Sequence, residues 1–163
     1  MKKKFVLLAM SALCAAWWGC TQNGNQAATE KKEKKKELID TLKECYSAAY
    51  EKDSADLQLN IIDSSKVEGK LLINYHGKPK NDGTIDGRFK GDTLFVDYTF
   101  KTGKNSTIYS NPLAFLKKDG KLIMGVGQIE TSLGKSYFVK DKPINFERGK
   151  FTFTIMECQE KGY

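Results

Sequence analysis

From Cys45 onward, apolar and polar positions alternate with a period of two. Leu57, Leu59 and Ile61 alternate with Asp56, Gln58 and Asn60, and Val67, Gly69, Leu71, Ile73 and Tyr75 with Glu68, Lys70, Leu72, Asn74 and His76. Ile85, Gly87 and Phe89 repeat the pattern, as do Leu94, Val96, Tyr98 and Phe100, and later Phe151, Phe153 and Ile155. One apolar and one polar face is the requirement of an antiparallel sheet with one wet side. The run from Cys45 to Glu51 puts Tyr46, Ala48 and Tyr50 on one face; it reads as a strand, with the last turns of a helix as the alternative. Lys52-Asp53-Ser54 then reads as a hairpin tip.

Turn chemistry agrees with the period. Asn81-Asp82-Gly83, Gly91-Asp92 and Asp119-Gly120 fall between strand runs, and Asp-Gly supplies the positive φ that a tight hairpin needs. About nine strand runs follow one another with no long helical pattern between them, which argues against parallel βαβ units. A meander of this kind removes its edges by closing. The predicted fold is therefore all-β: a single antiparallel meander closing into a small, lipocalin-like β-barrel of about eight to ten strands. Gly69, Gly87, Gly125 and Gly127 interrupt strand runs and mark the bends of such a barrel, and Pro112 marks an edge or a bulge. Gly125-x-Gly127 has no helix after it and is not a dinucleotide loop.

The pattern before Cys45 is different. Met1-Lys2-Lys3-Lys4 is basic, and Phe5 to Trp18 is an uncharged, mostly apolar run of 14 residues. That is short of the roughly 20 residues of a spanning helix. A basic start, a short apolar run and a small residue describe an export signal, here residues 1–19. Cys20 follows Gly19, and a cysteine there suggests the lipoprotein variant, in which the thiol receives a diacylglycerol and the new N-terminus a further acyl chain such as palmitate. Several chains at ~0.8 kcal/mol per buried CH₂ hold a protein firmly on a bilayer. Trp17 and Trp18 are bulky where that signal usually carries smaller residues; an ordinary secretory signal cut nearby would leave Cys20 a plain thiol.

Residues 20–43 read as a polar and charged tether, part helical where Leu38, Ile39 and Leu42 share a face, and 44–163 as the β domain. "EKKEKKKE", Glu30 to Glu37, interleaves both signs, the mark of a solvated stalk and not of a nucleic-acid arm. The formal net charge is +7; without Lys2, Lys3 and Lys4 the 27 basic residues become 24 against 20 acidic, or +4. A surface that mildly basic favours anionic head groups or wall polymers without naming a partner.

Of four cysteines, Cys14 leaves with the signal and Cys20 is assigned to the lipid, so Cys45 and Cys158 remain as an even pair in an oxidising compartment. They sit at the two ends of the β-rich segment. In a closed sheet the first and last strands are neighbours, so we expect a Cys45–Cys158 disulfide.

Several stretches resemble the small envelope lipoproteins of Bacteroidota: "CY" at Cys45-Tyr46, "LQLNI" from Leu57 to Ile61, "GTIDGRFKGDTLFVDYTF" from Gly83 to Phe100, "LAFLKKDGKLIMGVG" from Leu113 to Gly127, and a closing cysteine. The resemblance implies a secreted, disulfide-closed β domain behind a lipidated cysteine, and brings no activity with it. Thr21-Gln22-Asn23-Gly24 lacks the acidic residues that some of these lipoproteins carry as a surface-export signal. The expected location is the outer membrane facing the periplasm, with surface exposure the alternative.

Chemistry-bearing residues are sparse. His76 is the only histidine and reads as a solvated side chain near a turn. A metal site wants further His, Cys or carboxylate partners, so no metal or other cofactor is expected. No Gly-x-Ser-x-Gly elbow and no His-Glu-x-x-His pair occurs. Asp86 and Asp97 fall where adjacent strands place them opposite one another, but among Arg88, Lys90 and Lys101 they read as solubilising charge. The apolar face is richer: Tyr46, Tyr50, Tyr75, Phe89, Tyr98, Phe100 and Phe153 are candidate ligand-lining or core residues. A small barrel is either filled by such side chains or holds one small ligand. The sequence thus favours a monomeric, non-enzymatic binding module for a small hydrophobic or glycan-like ligand. An interaction or inhibitor module with a packed core, for example against a wall-degrading enzyme, is the alternative, and an enzyme ranks last.

Overall fold

The computed structural model describes residues 41–158. The expected signal segment, Cys20 and the expected tether up to residue 40 lie outside the described residues. Ten strands follow in chain order: β1 (Leu42–Tyr50), β2 (Asp53–Ile61), β3 (Lys66–Asn74), β4 (Asn81–Lys90), β5 (Thr93–Thr102), β6 (Tyr109–Lys118), β7 (Lys121–Met124), β8 (Ile129–Ser132), β9 (Lys135–Phe138) and β10 (Thr152–Met156). Eight close into an antiparallel barrel in the order β1-β10-β7-β6-β5-β4-β3-β2, and β8 and β9 form a separate hairpin. The all-β meander and its closure agree with the alternation in the sequence. β1 begins at Leu42, paired with Ile61, so Leu42 and Lys43 belong to the barrel and not to the tether.

Inward positions are the alternating apolar ones. Leu59, Val67, Leu71, Leu94, Phe115, Leu122 and Phe153 are fully buried, and Phe115 and Phe153 meet edge to face with centroids 5.7 Å apart. Eight strands leave an interior that side chains can fill, and here they fill it. Among the described residues, no buried side-chain nitrogen or oxygen lacks a hydrogen-bond partner. Ile155, expected on the apolar face, is 58 % exposed because β10 reaches the barrel rim there.

The turns were partly misplaced by the sequence pattern. Asp119-Gly120 connects β6 to β7 with φ of 51° and 72°, the two positive values of a type I′ turn. Gly91-Asp92 connects β4 to β5, with Gly91 at φ 60°. The first hairpin tip is Glu51-Lys52; Asp53 and Ser54 are already in β2. Asn81-Asp82-Gly83 is not a turn but the start of β4, where Gly83 lies opposite both Leu71 and Phe100. A Cβ on Gly83 would lie 2.1 Å from the Thr99 carbonyl oxygen, so glycine serves close strand approach there.

Pro112 lies in β6 opposite Asp97, in the half of β6 that β7 does not pair. Two residues on, Ala114 offers its carbonyl to the Gly125 N–H on the β7 side. The same parity turns the Pro112 nitrogen toward the unpaired side, so its missing N–H breaks no ladder bond, which is the edge reading.

Between β7 and β10 the chain leaves the wall and folds back over it. The β8–β9 hairpin and the strap 139–150 cover the outer face of β5 and β6. Phe138 meets Phe95 edge-on at 6.5 Å, Lys135 Nζ sits 3.0 Å from Asp97 Oδ2, and Val126 and Asn145 exchange two backbone bonds of 2.9 Å. Gly125 and Gly127, expected as bends of the barrel, instead leave room for this layer: a Cβ would lie 2.4 Å from Ile144 at Gly125 and 2.6 Å from Phe138 at Gly127.

Cys45 and Cys158 are joined, with Cα atoms 5.2 Å apart across 113 residues of chain. β1 and β10 are neighbours, with Cys45 opposite Met156, and the bond locks the seam at which the barrel closes.

Candidate functional site at the aromatic end of the barrel

The barrel has two ends. At one, β1 begins and β10 finishes. At the other lie the tip Glu51-Lys52, the segment 75–80 between β3 and β4, the segment 103–108 between β5 and β6, and Lys150 ahead of β10.

The candidate residues divide between core and ends. Phe153 belongs to the core. Tyr46 is buried, and its hydroxyl donates to the Glu44 carboxylate near the end where β1 begins. Burial first, and that carboxylate second, push the Tyr46 phenol well above its ordinary 10.0. Glu44 also faces Lys117, whose ammonium is 3.9 Å from it and 6.0 Å from the Phe89 ring centroid, so Phe89 helps close that same end. Glu44, Tyr46, Lys117 and Phe89 therefore plug the barrel where the chain enters it.

The remaining four gather at the other end. Tyr98 is buried, and its hydroxyl donates to the carbonyl oxygens of Leu71 at 3.0 Å and Asn81 at 3.1 Å. Phe100 stacks on Tyr98 with centroids 4.6 Å apart and planes 14° from parallel. Tyr109 stacks on Phe100 at 5.6 Å. The three rings run from the core outward and end at Tyr109, which is 42 % exposed. Tyr75 is half-buried beside them, its phenol raised by burial and then by the Asp53 charge. Tyr50 corrects the expectation of an inward residue: it is the last residue of β1, at the rim, and 37 % exposed, with the Lys150 ammonium 5.5 Å from its ring centroid.

Tyr109 and its exposed neighbour Ile108 were missed in the sequence. Tyr109 has the same parity as Leu113 and Phe115, but Asn111 interrupts the alternation and hides the continuation. His76 is exposed in the segment 75–80, with its backbone N–H donated to Asp53 Oδ1 at 2.8 Å. The segments at this end carry Lys52, Lys78, Lys80, Lys104 and Lys150 against Glu51, Asp53 and Asp82, a basic excess at the aromatic end.

Comparison with known protein families, curated proteins and solved structures finds no match for this chain.

The arrangement offers flat apolar faces, phenol hydroxyls at the rim, and ammonium groups, which is a recognition chemistry. Among the described residues, no three His, Cys, Asp or Glu side chains are placed to hold a metal ion. Asp86 and Asp97 do lie opposite one another across β4 and β5, as their spacing predicted, but Asp97 is taken by Lys135.

Proposed function

We propose that the domain is a non-enzymatic binding module of the cell envelope, fastened through a lipidated Cys20, that recognises a glycan-like ligand bearing acidic groups at the aromatic end of its barrel. The observation that carries this reading is the ring stack Tyr98–Phe100–Tyr109, rooted in the core and ending in an exposed ring at the end of the barrel whose connecting segments carry the lysines. A rooted aromatic face suits the apolar face of a sugar ring, because the ring is already fixed and little conformational entropy is lost on contact. The lysines suit carboxylate or phosphate substituents on that sugar. The packed interior supports a ligand at the rim over one in the lumen. β1 begins at the opposite end, so an anchor upstream of Leu42 joins the barrel away from the aromatic rim.

The purified protein, applied to immobilised acidic and neutral oligosaccharides, is expected to retain an acidic class and release it as salt rises. Tyr109→Ala is expected to weaken that binding by about tenfold, the order of one lost stacking contact. Absence of any retained glycan, or retention unchanged by Tyr109→Ala, would overturn the proposal. A second reading rests on Leu133, which is 103 % exposed at the tip of the β8–β9 hairpin. A projecting leucine suits a protein partner, and loss of a co-purifying protein on Leu133→Ser would favour an interaction module.

A further inference from the structure

A groove of about 540 Å³ lies outside the barrel, between the outer face of β4–β5 and the strap. Its apolar wall is Phe95 from β5, Phe138 from the end of β9, and Ile144 and Phe146 from the strap. These side chains are only partly buried, although three of them are aromatic. The volume falls inside the ~300–1,000 Å³ range of small-molecule sites.

The rim is predominantly basic. Lys90, Lys140 and Lys142 line the groove together with a single carboxylate, Asp141. Lys90 projects inward enough that its ammonium lies 5.6 Å from the Phe95 ring centroid. Lys140 and Lys142 reach the rim through a tight turn in which the Lys142 N–H donates to the Val139 carbonyl at 3.3 Å. Asp141 holds that turn in the left-handed region, at φ 61°. Aspartate is among the few non-glycine residues that adopt that region readily.

We propose that this groove is a second binding site, for a small amphipathic anion: a single alkyl or aryl body lying against Phe95, Phe138, Ile144 and Phe146, with its acidic head among Lys90, Lys140 and Lys142. An apolar wall alone would accept any oily body. Three lysines against one aspartate select the anionic one, because a cationic head would meet like charge at the rim. The site is independent of the aromatic end, since it shares no lining residue with it.

The test uses the purified protein, the fluorescent anion 1-anilinonaphthalene-8-sulfonate as probe, and two competitors of equal chain length, dodecanoate and dodecyltrimethylammonium. Probe fluorescence is expected to rise on binding, to be displaced by dodecanoate, and to resist the cationic competitor. The double variant Lys140→Glu/Lys142→Glu is expected to weaken the probe by about tenfold, the order of two reversed rim charges, while Tyr109→Ala leaves it unchanged. Lys140→Gln/Lys142→Gln serves if charge reversal disturbs the fold, with a loss of about threefold expected. Equal displacement by both competitors would reduce the groove to an unselective apolar surface and overturn the proposal. So would absence of probe binding, or binding insensitive to both lysine pairs. Loss of glycan binding in Tyr109→Ala with the probe intact would leave the two sites standing separately.

Discussion

The phenol of Tyr98 on β5 reaches the backbone carbonyl of Leu71 on β3, 3.0 Å away, although β4 lies between the two strands. The same hydroxyl also lies 3.1 Å from the Asn81 carbonyl at the start of β4, so one donor ties three strands together. Burial, ahead of the Asp82 charge, raises the Tyr98 phenol well above its ordinary 10.0, and Tyr46 is raised in the same direction. An unfolded phenol ionises near its ordinary value and a folded one only above it. The neutral phenols therefore contribute their full stability below pH ~10, and it is lost as pH rises beyond that value. Absorbance of phenolate and far-ultraviolet circular dichroism, followed together in alkali, are expected to show these two tyrosines ionising only as the barrel unfolds. Tyr98→Phe is expected to lose about 1 kcal/mol at neutral pH and to flatten the alkaline fall. Free ionisation of every tyrosine in the folded protein would refute the assignment.

Cys45 and Cys158 set a second expectation. β10 pairs with β7 over three residues and with β1 over three, so few ladder pairs hold the closing strand on either side. A bond spanning 113 residues removes much denatured-state freedom, worth about 4–5 kcal/mol in the chain-entropy model. Cys45→Ser/Cys158→Ser is expected to lower unfolding free energy in urea by about 3–5 kcal/mol, with amide exchange accelerating first in β10. A loss below about 1 kcal/mol would mean that the packed seam alone closes the barrel.

Much of the barrel was legible because inward and outward positions repeat every two residues and the interior is apolar throughout: Leu57, Leu71, Ile85, Leu94 and Phe153 all lie where alternation placed them. The cysteine pair was legible because closure makes the first and last strands neighbours. The outer layer was not. Phe138, Ile144 and Phe146 bury against a face that alternation marks as polar, and they lie in short strands and a strap with no period of their own. The aromatic end was half legible: Tyr75, Tyr98 and Phe100 follow the alternation, whereas Asn111 masks Tyr109 and the rim exposes Tyr50.

Gly87 and Gly91 separate two reasons for glycine four residues apart. At Gly87 a Cβ would sit 2.0 Å from the Phe95 carbonyl oxygen and 2.7 Å from Val96 Cα, atoms of the neighbouring backbone that cannot swing aside. Gly91 sits in open space at φ 60°. Gly87→Ala must push β4 from β5 and is expected to cost more than about 2 kcal/mol. Gly91→Ala meets only the left-handed strain, about 1 kcal/mol. Comparison of their thermal midpoints tests the register; an Ala tolerated at Gly87 would show that β4 and β5 are not so closely pinched.

Phe153 and Phe138 separate the two layers. Phe153 is fully buried between Phe115 and Phe151, with ring centroids at 5.7 and 6.0 Å, on a strand that closes the barrel. Truncation to alanine removes a whole ring from the core, and the expected loss is about 3–5 kcal/mol of global stability. Phe138 is only half-buried and touches the wall through the edge-on contact with Phe95 at 6.5 Å. Its removal takes away one wall of the outer groove but nothing from the barrel interior. Phe138→Ala is therefore expected to cost about 1 kcal/mol globally, while amides of the β8–β9 hairpin exchange faster because the layer opens locally, without the barrel. Hydrogen exchange read strand by strand distinguishes the cases. Uniform acceleration through β1 to β7 in Phe138→Ala would mean that barrel and outer layer unfold as one unit.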